Sequence, residues 1–493
     1  MKSSLRPILG FALACAFTIF LRVALGLWNY SYDSCYIFSR VSKIVYEGEL
    51  SLAGQSYCCG LMLGPLADYL TSLPLFIFKR VEATYLFVSV LWLVSVPLFF
   101  IVIRRYFNDR VAFWASITYF FSMPVWELRF MPWNDSYLPI CLPVYLYLIM
   151  EGRDQLKHRL FTYILLGLMA QLHILTLTLI PTSWVFWRLS SKTRTPILLH
   201  LAGFLSILIL HLPLAFFYAK VGIGAIRNSF SNMVQGFKLI NSEGALPYFA
   251  FAIVPLFYAL LLAAPALIIL IPLSVNKWKS ISDDEKKSIL ANLTAFLSCL
   301  YLCSLAAQFI KGYFNIYYIT YSLPFLVTLA GIFAQIVIEH YKRSWRVAIG
   351  LSMLLPFLVI VLHLYASVIL YKVPTRDIRV QLWLAEKFSK WANENNISPV
   401  QIMENVFSER RFFLEDFKAV EEMPPICLPS LIEASGHRVP NSGKPRKITL
   451  WELKESEEES FILEFDADLK ECSERWEHKG AVFYICPHAV DSR

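Results

Sequence analysis

Charged residues are scarce in this 493-residue chain: Asp, Glu, Lys and Arg together make up only 17% of it. A soluble protein carries about a quarter, so a large water-soluble globule is excluded. Internal repeats are also missing, which argues against the matched halves common among secondary transporters. No low-complexity tract interrupts the chain. Zinc-ligand spacing is absent too: the "CC" at 58–59 has no second ligand pair to complete a site. The net charge of +8 is spread over short basic clusters between apolar runs, which fits loops of a membrane protein and not a nucleic-acid-binding surface.

What the chain has in quantity is apolar and aromatic: 57% hydrophobic residues, with 38 Phe, 25 Tyr and 13 Trp. Rings of this kind anchor helices at membrane interfaces. A span takes about 20 apolar residues. Runs that meet or approach this lie at 7–28, 84–103, 110–126, 136–150, 196–218, 247–273, 288–310, 319–339 and 345–370. The first is longer than the ~7–15-residue core of a cleavable signal peptide, so an uncleaved span is expected. The segment 159–189 is too long for one span and too short for two. Its middle, "GLMAQLHIL", holds Gln171 and His173, which are costly at bilayer depth unless they face protein or water. Two short helices meeting at a re-entrant tip are expected there, for about eleven helical segments in all.

Basic residues fall in every second connection: near Lys2 and Arg6, at 104–110, 151–159, 188–194, 276–287 and 340–346. Positive loops face the cytoplasm, so the N-terminus is expected inside and the intervening connections outside. Residues 1–370 then form a membrane domain, whose first outer loop (29–83) carries two surface helices, "SCYIFSRVSKIVYEGE" and "GPLADYLTSLPLFIF". Residues 371–493 read as a small soluble α/β domain outside. A helix is expected over "RDIRVQLWLAEKFSKWANEN", with strands at "KITLWEL", "SFILEF" and "AVFYIC" and a Pro-rich loop over 421–446. Cys15, Cys141, Cys299 and Cys303 fall in spans as packing residues; Cys35, Cys58, Cys59, Cys427, Cys472 and Cys486 fall outside, with Cys472–Cys486 the preferred disulfide.

The outer face gathers most of the chemistry-bearing side chains. Asp33 follows the first span, with Arg22 about three turns earlier. "WELRFMPWNDSYLP" supplies Glu127, Arg129, Asn134 and Asp135; the hairpin tip adds Gln171 and His173; "KGYFNIYYITY" adds Lys311 and a row of tyrosines. Each has a plain structural alternative. Asp33 can be a solvated loop residue, Asp135 an N-cap and His173 a packed core residue. Arg129 and Lys311 can snorkel. Together, acids and cations at a water–lipid boundary suit chemistry on a lipid-linked phosphate, since cations bind phosphate oxygens and an acid deprotonates an incoming hydroxyl.

This organisation resembles the GT-C superfamily of polyprenyl-phosphate-sugar glycosyltransferases, in the branch of protein O-mannosyltransferases and lipid A aminoarabinose transferases. The matching features are Asp33 just after the first span, the "GPLADYL" helix, Asp135 in "WNDSYLP", the "GLMAQLHILTLTLIP" helix pair and the trailing soluble domain. The chain departs from the pattern in having Ser34 after Asp33, where many relatives have Glu, and His173 where relatives often have Lys. The resemblance implies an all-α polytopic fold in a membrane such as the bacterial cytoplasmic membrane. It implies sugar transfer from a polyprenyl phosphate to a glycan, lipid or protein hydroxyl, with Asp33 as general base. Arg129, His173, Lys311, Tyr317 and Asn134 would bind substrate or phosphate. Asp135 would orient the acceptor, or hold a divalent cation (Mg or Mn) with Asp33. The rivals are a transporter or lipid flippase, an O-antigen polymerase or ligase, and a non-enzymatic scaffold.

Overall fold

The computed structural model describes residues 2–25, 32–55, 62–122, 132–191, 193–222, 255–264, 266–311, 316–340, 378–394, 397–406, 444–454, 474–478 and 481–488. Two compact units divide the chain: one of Met1–Ile19, Ser51–Ala67 and Val88–Leu364, the other of Phe20–Leu50, Asp68–Phe87 and Tyr365–Arg493.

Among the described residues, helices carry the apolar runs, because a helix satisfies its own backbone in hydrocarbon. In chain order they are α1 (Lys2–Leu25), α2 (Tyr32–Ser42), α3 (Leu66–Phe78), α4 (Glu82–Tyr106), α5 (Asp109–Phe121), α6 (Leu138–Glu151) and α7 (Leu156–Leu172). There follow α8 (Leu179–Ser190), α9 (Ile197–Leu210), α10 (Leu212–Val221), α11 (Leu267–Val275), α12 (Asp283–Lys311), α13 (Leu323–His340) and α14 (Ile378–Glu394). Among the described residues, Glu82–Tyr106, Asp283–Ala307 and Tyr318–His340 are each long and apolar enough to cross a membrane. Helices α9 and α10 form a bent pair, turning by 53° where Pro213 opens the second helix. The expected span at 345–370 lies outside the described residues.

The first unit is a helical bundle. Asn108 caps α5, its side chain accepting from the backbone of Arg110 and Val111 at 3.0 Å each. Helix α13 crosses α5 so closely at Gly331 that an added Cβ would lie 2.5 Å from the Val111 carbonyl oxygen. Small residues at such crossings allow membrane helices to approach. The segment after α6 folds back as expected. Helix α7 ends at Leu172, a 3₁₀ turn covers Ile174–Thr178, and α8 returns. Trp184 Nε1 donates to the Tyr163 hydroxyl at 2.5 Å. At the base Arg159, fully buried, donates to the carbonyl of Gly152 at 2.5 Å and to Ser191 Oγ at 2.7 Å. It also bonds Thr193 and Thr195.

Helix α6 has charged groups at its far end. Arg105 donates to Glu151 at 2.9 Å and the Tyr106 hydroxyl to the same oxygen at 2.7 Å. Glu151 stands one residue beyond the expected span, and its carboxyl is held below the usual range by the Tyr106 hydrogen bond and the Arg105 charge.

The second unit holds α2, α3 and a four-stranded sheet of β1 (Ile397–Val406), β2 (Lys444–Lys454), β3 (Glu474–His478) and β4 (Ala481–His488), in the order β1-β2-β4-β3. A π-turn over Lys43–Glu47 extends α2 and stops at Gly48, whose φ of 70° suits glycine. Arg40 grips the fully buried Asp68 with two bonds of 2.7 and 2.9 Å. Strand β1 runs parallel to β2, while β4 is antiparallel to both β2 and β3. The two central strands, β2 and β4, match expected strands, and β2 takes the last three residues of the expected loop. The two edge strands carry no strand signal in the sequence: β1 contains Pro399 beside a bulge, and β3 reads "ERWEH". Such residues belong at sheet edges. The expected strand "SFILEF" and Cys472 lie outside the described residues. Cys15, Cys141, Cys299 and Cys303 are free thiols.

Candidate functional site

Three connections of the first unit meet at the end of α6 opposite Glu151. The first is the 3₁₀ turn Asn134–Tyr137, which runs directly into α6 and is buried throughout. Asp135 is not the cap residue of α6: the cap position falls on Tyr137, whose side chain makes no capping bond. Its carboxylate, 1% exposed, instead accepts a hydrogen bond from the Tyr321 hydroxyl at 3.2 Å. That contact sets aside the cap reading of Asp135.

The second connection is the hairpin tip. His173 breaks the helix with an extended backbone and starts the returning turn, its Nδ1 accepting the Leu175 backbone N–H at 3.2 Å. An Nδ1 that accepts leaves the proton of a neutral ring on Nε2. That nitrogen lies 3.9 Å from Asp135 Oδ2, beyond direct hydrogen-bond reach.

The third is the 3₁₀ turn Ile316–Ser322. Three residues per turn place positions i and i+3 on one side, so Tyr318 and Tyr321 stack at 6.4 Å and each ring sits 5.5 Å from His173. Both tyrosines are buried. Asp135, His173 and Tyr321 thus form one desolvated cluster, where electrostatic effects are stronger than in water. Asn134 is buried beside Asp135, and its Oδ1 has no hydrogen-bond partner among the described residues.

Gln171, costly in a bilayer, is satisfied here by donating to the Leu210 carbonyl at 2.9 Å. It packs on Gly64, where an added Cβ would come within 2.5 Å of its side chain. The "GPLADYL" start is therefore seated on the hairpin end, and Met62 N–H donates to the Tyr218 hydroxyl at 2.8 Å.

The other expected site residues are placed less fully. Asp33 is the second residue of α2 and belongs to the second unit. Lys311 ends α12 and Tyr317 lies in the same turn as Tyr318 and Tyr321. Arg129 lies outside the described residues. The sequence marked Tyr317 in the tyrosine row and missed Tyr318 and Tyr321; the i, i+3 spacing of those two was the available signal. Among the described residues no three metal-ligating side chains converge.

No family model and no curated protein sequence matches the chain. Solved structures do. ArnT from Cupriavidus metallidurans bound to undecaprenyl phosphate aligns with a TM-score of 0.56 at 13% identity, covering 98% of each chain. The same protein in the apo state gives 0.47 at 14% identity, over 96% of this chain and 98% of that one. An Archaeoglobus fulgidus oligosaccharyltransferase tethered with an acceptor peptide gives 0.40 at 13%, over 80% of this chain and 57% of that one. On the first of these likenesses, with the apolar helices above, the chain has the GT-C fold of a polytopic membrane protein.

Proposed function

We propose that this protein is an integral-membrane glycosyltransferase that moves a sugar from a polyprenyl-phosphate donor to an acceptor hydroxyl on the outer face of the membrane. The observation that carries this reading is the buried Asp135–His173–Tyr321 cluster at the hairpin tip of a GT-C fold. The similar ArnT structure is bound to undecaprenyl phosphate, a donor-type lipid without its sugar.

In this reading residues 1–370 form the catalytic membrane domain, with the N-terminus inside and residues 371–493 outside. Asp33 takes the proton of the acceptor hydroxyl. The freed oxygen bonds to the anomeric carbon on the face opposite the phosphate, while the bond from that carbon to the phosphate oxygen breaks. The configuration inverts through an oxocarbenium-like transition state. Negative charge grows on the leaving phosphate. Arg129, Lys311 and Tyr317 meet it, and His173 donates from Nε2; stabilising a developing anion is usually the largest catalytic effect. Asp135, held by Tyr321, orients the acceptor, and Asn134 offers an amide to the substrate. The acceptor class, whether glycan, lipid or protein, is open to assay.

Purified protein given labelled polyprenyl-phosphate sugar should pass label to an acceptor from its own membrane extract. Absence of transfer to every acceptor fraction, with donor intact, overturns the enzyme reading. Asp33→Asn should slow transfer by about 10²–10⁴-fold. Normal turnover by a well-folded Asp33→Asn protein overturns the base assignment alone.

A further inference from the structure

The end of the bundle that holds Glu151 carries two adjoining cavities. One, about 560 Å³, is lined by Arg104, Phe107, Asn108, Asp109, Arg110 and Glu339. The second, about 160 Å³, shares Phe107 and Asn108 and runs between Val111, Ile332 and Ile336, with Glu285, Ser288 and Gln335 also on its wall. A polar mouth thus adjoins a slot with Val111, Ile332 and Ile336 on its apolar side, at the end of membrane helices.

The mouth carries two guanidinium groups and two carboxylates. Arg104 commits its Nε to Asp109 at 2.6 Å, and Arg110 stands 3.7 Å from Glu339. These side chains are 37–65% exposed, and pairs of this kind hold by less than about 1 kcal/mol, so a ligand can enter between them. Glu285, at the edge of the slot, is engaged in capping α12 through Ser282. A purely anionic headgroup would meet Asp109 and Glu339. A simple cation would meet Arg104 and Arg110. A ligand with both charges finds a partner for each.

We propose that the two cavities form a binding site for a zwitterionic membrane phospholipid with a primary-amine headgroup, of the phosphatidylethanolamine type. Its phosphate lies between Arg104 and Arg110, its ammonium donates to Glu339 and Asp109, and part of an acyl chain fills the slot. A quaternary ammonium has no N–H to donate, so the choline analogue is discriminated against.

The test is a competition. Full-length protein in detergent is given equal amounts of phosphatidylethanolamine, phosphatidylcholine and phosphatidylglycerol with identical chains, and bound lipid is counted by native mass spectrometry. The ethanolamine lipid should exceed each of the others by about threefold to fivefold, the size set by exposed charge partners. Equal retention of all three, or preference for the glycerol lipid, overturns the proposal without need of any variant. An Arg110→Gln/Glu339→Gln double variant should lose the preference, and a folded one that keeps it also overturns the site. Excess soluble phosphoethanolamine should leave the lipid bound. Displacement by it would point to a headgroup-only site and remove the role of the slot.

Discussion

The two ends of α6 place an acid each in opposite circumstances. Asp135 stands just before the helix, buried against Tyr321 and His173. Glu151 closes this 14-residue helix, which is about 21 Å long. There its side chain, 10% exposed, pairs with an Arg105 that is 59% exposed. A buried charge costs several kcal/mol to desolvate, so a fold keeps one only where its surroundings compensate or a function requires it. A pair whose arginine stays largely in water is screened, and it costs and contributes less. The comparison teaches that burial of every partner, and not of the acid alone or the number of ionic contacts, separates the site from the helix end.

Arg159 offers the sharpest way to break that rule, because it lies at the Glu151 end yet is fully buried. If burial decides, Arg159→Met should cost about 3 kcal/mol by stranding the acceptors it serves, measured by unfolding in detergent. A cost as small as that of an exposed pair would show that the end of the bundle matters more.

Asp135→Asn should lower sugar transfer by about 10²-fold through misplacement of the groups around it, while melting in detergent stays close to that of the parent. Loss of melting temperature in step with activity would make Asp135 a structural residue. Tyr321→Phe removes one hydrogen bond to that carboxylate. It should reduce transfer by about tenfold, the equivalent of a single bond to a charged group. An unchanged rate would separate Tyr321 from the site.

The smallest effect belongs to Glu151→Gln, expected at under about 1 kcal/mol in stability with transfer unaltered. Its carboxyl is held low in the folded protein by Tyr106 and then Arg105. A depressed folded-state value makes the contribution present above the unfolded value near pH ~4.3, and lost as pH falls through the folded one. Melting measured across that acidic window should fall slightly in the parent relative to Glu151→Gln. Parallel pH profiles would contradict the pairing.

Parts of this site were legible in the chain and parts were not. The hairpin at 159–189 was readable because Gln171 and His173 interrupt an apolar run, and hydrocarbon tolerates such residues only at a break or a protein contact. The Leu210 carbonyl that satisfies Gln171 could not be read, because it comes from another helix. The strands β2 and β4 announced themselves by apolar alternation, whereas β1 and β3 sit at the sheet edges, where Pro and charge are tolerated and the pattern fades.

Local chemistry along the chain therefore determined the membrane class, the helix positions and the break at His173, since each follows from transferring a short segment out of water. Only the tertiary structure decided that Asp135 is a buried partner of Tyr321 and not a helix cap, and which ring nitrogen of His173 faces it. Those outcomes depend on contacts between residues as much as 186 positions apart, and no local pattern encodes the distance between side chains that the fold alone brings together.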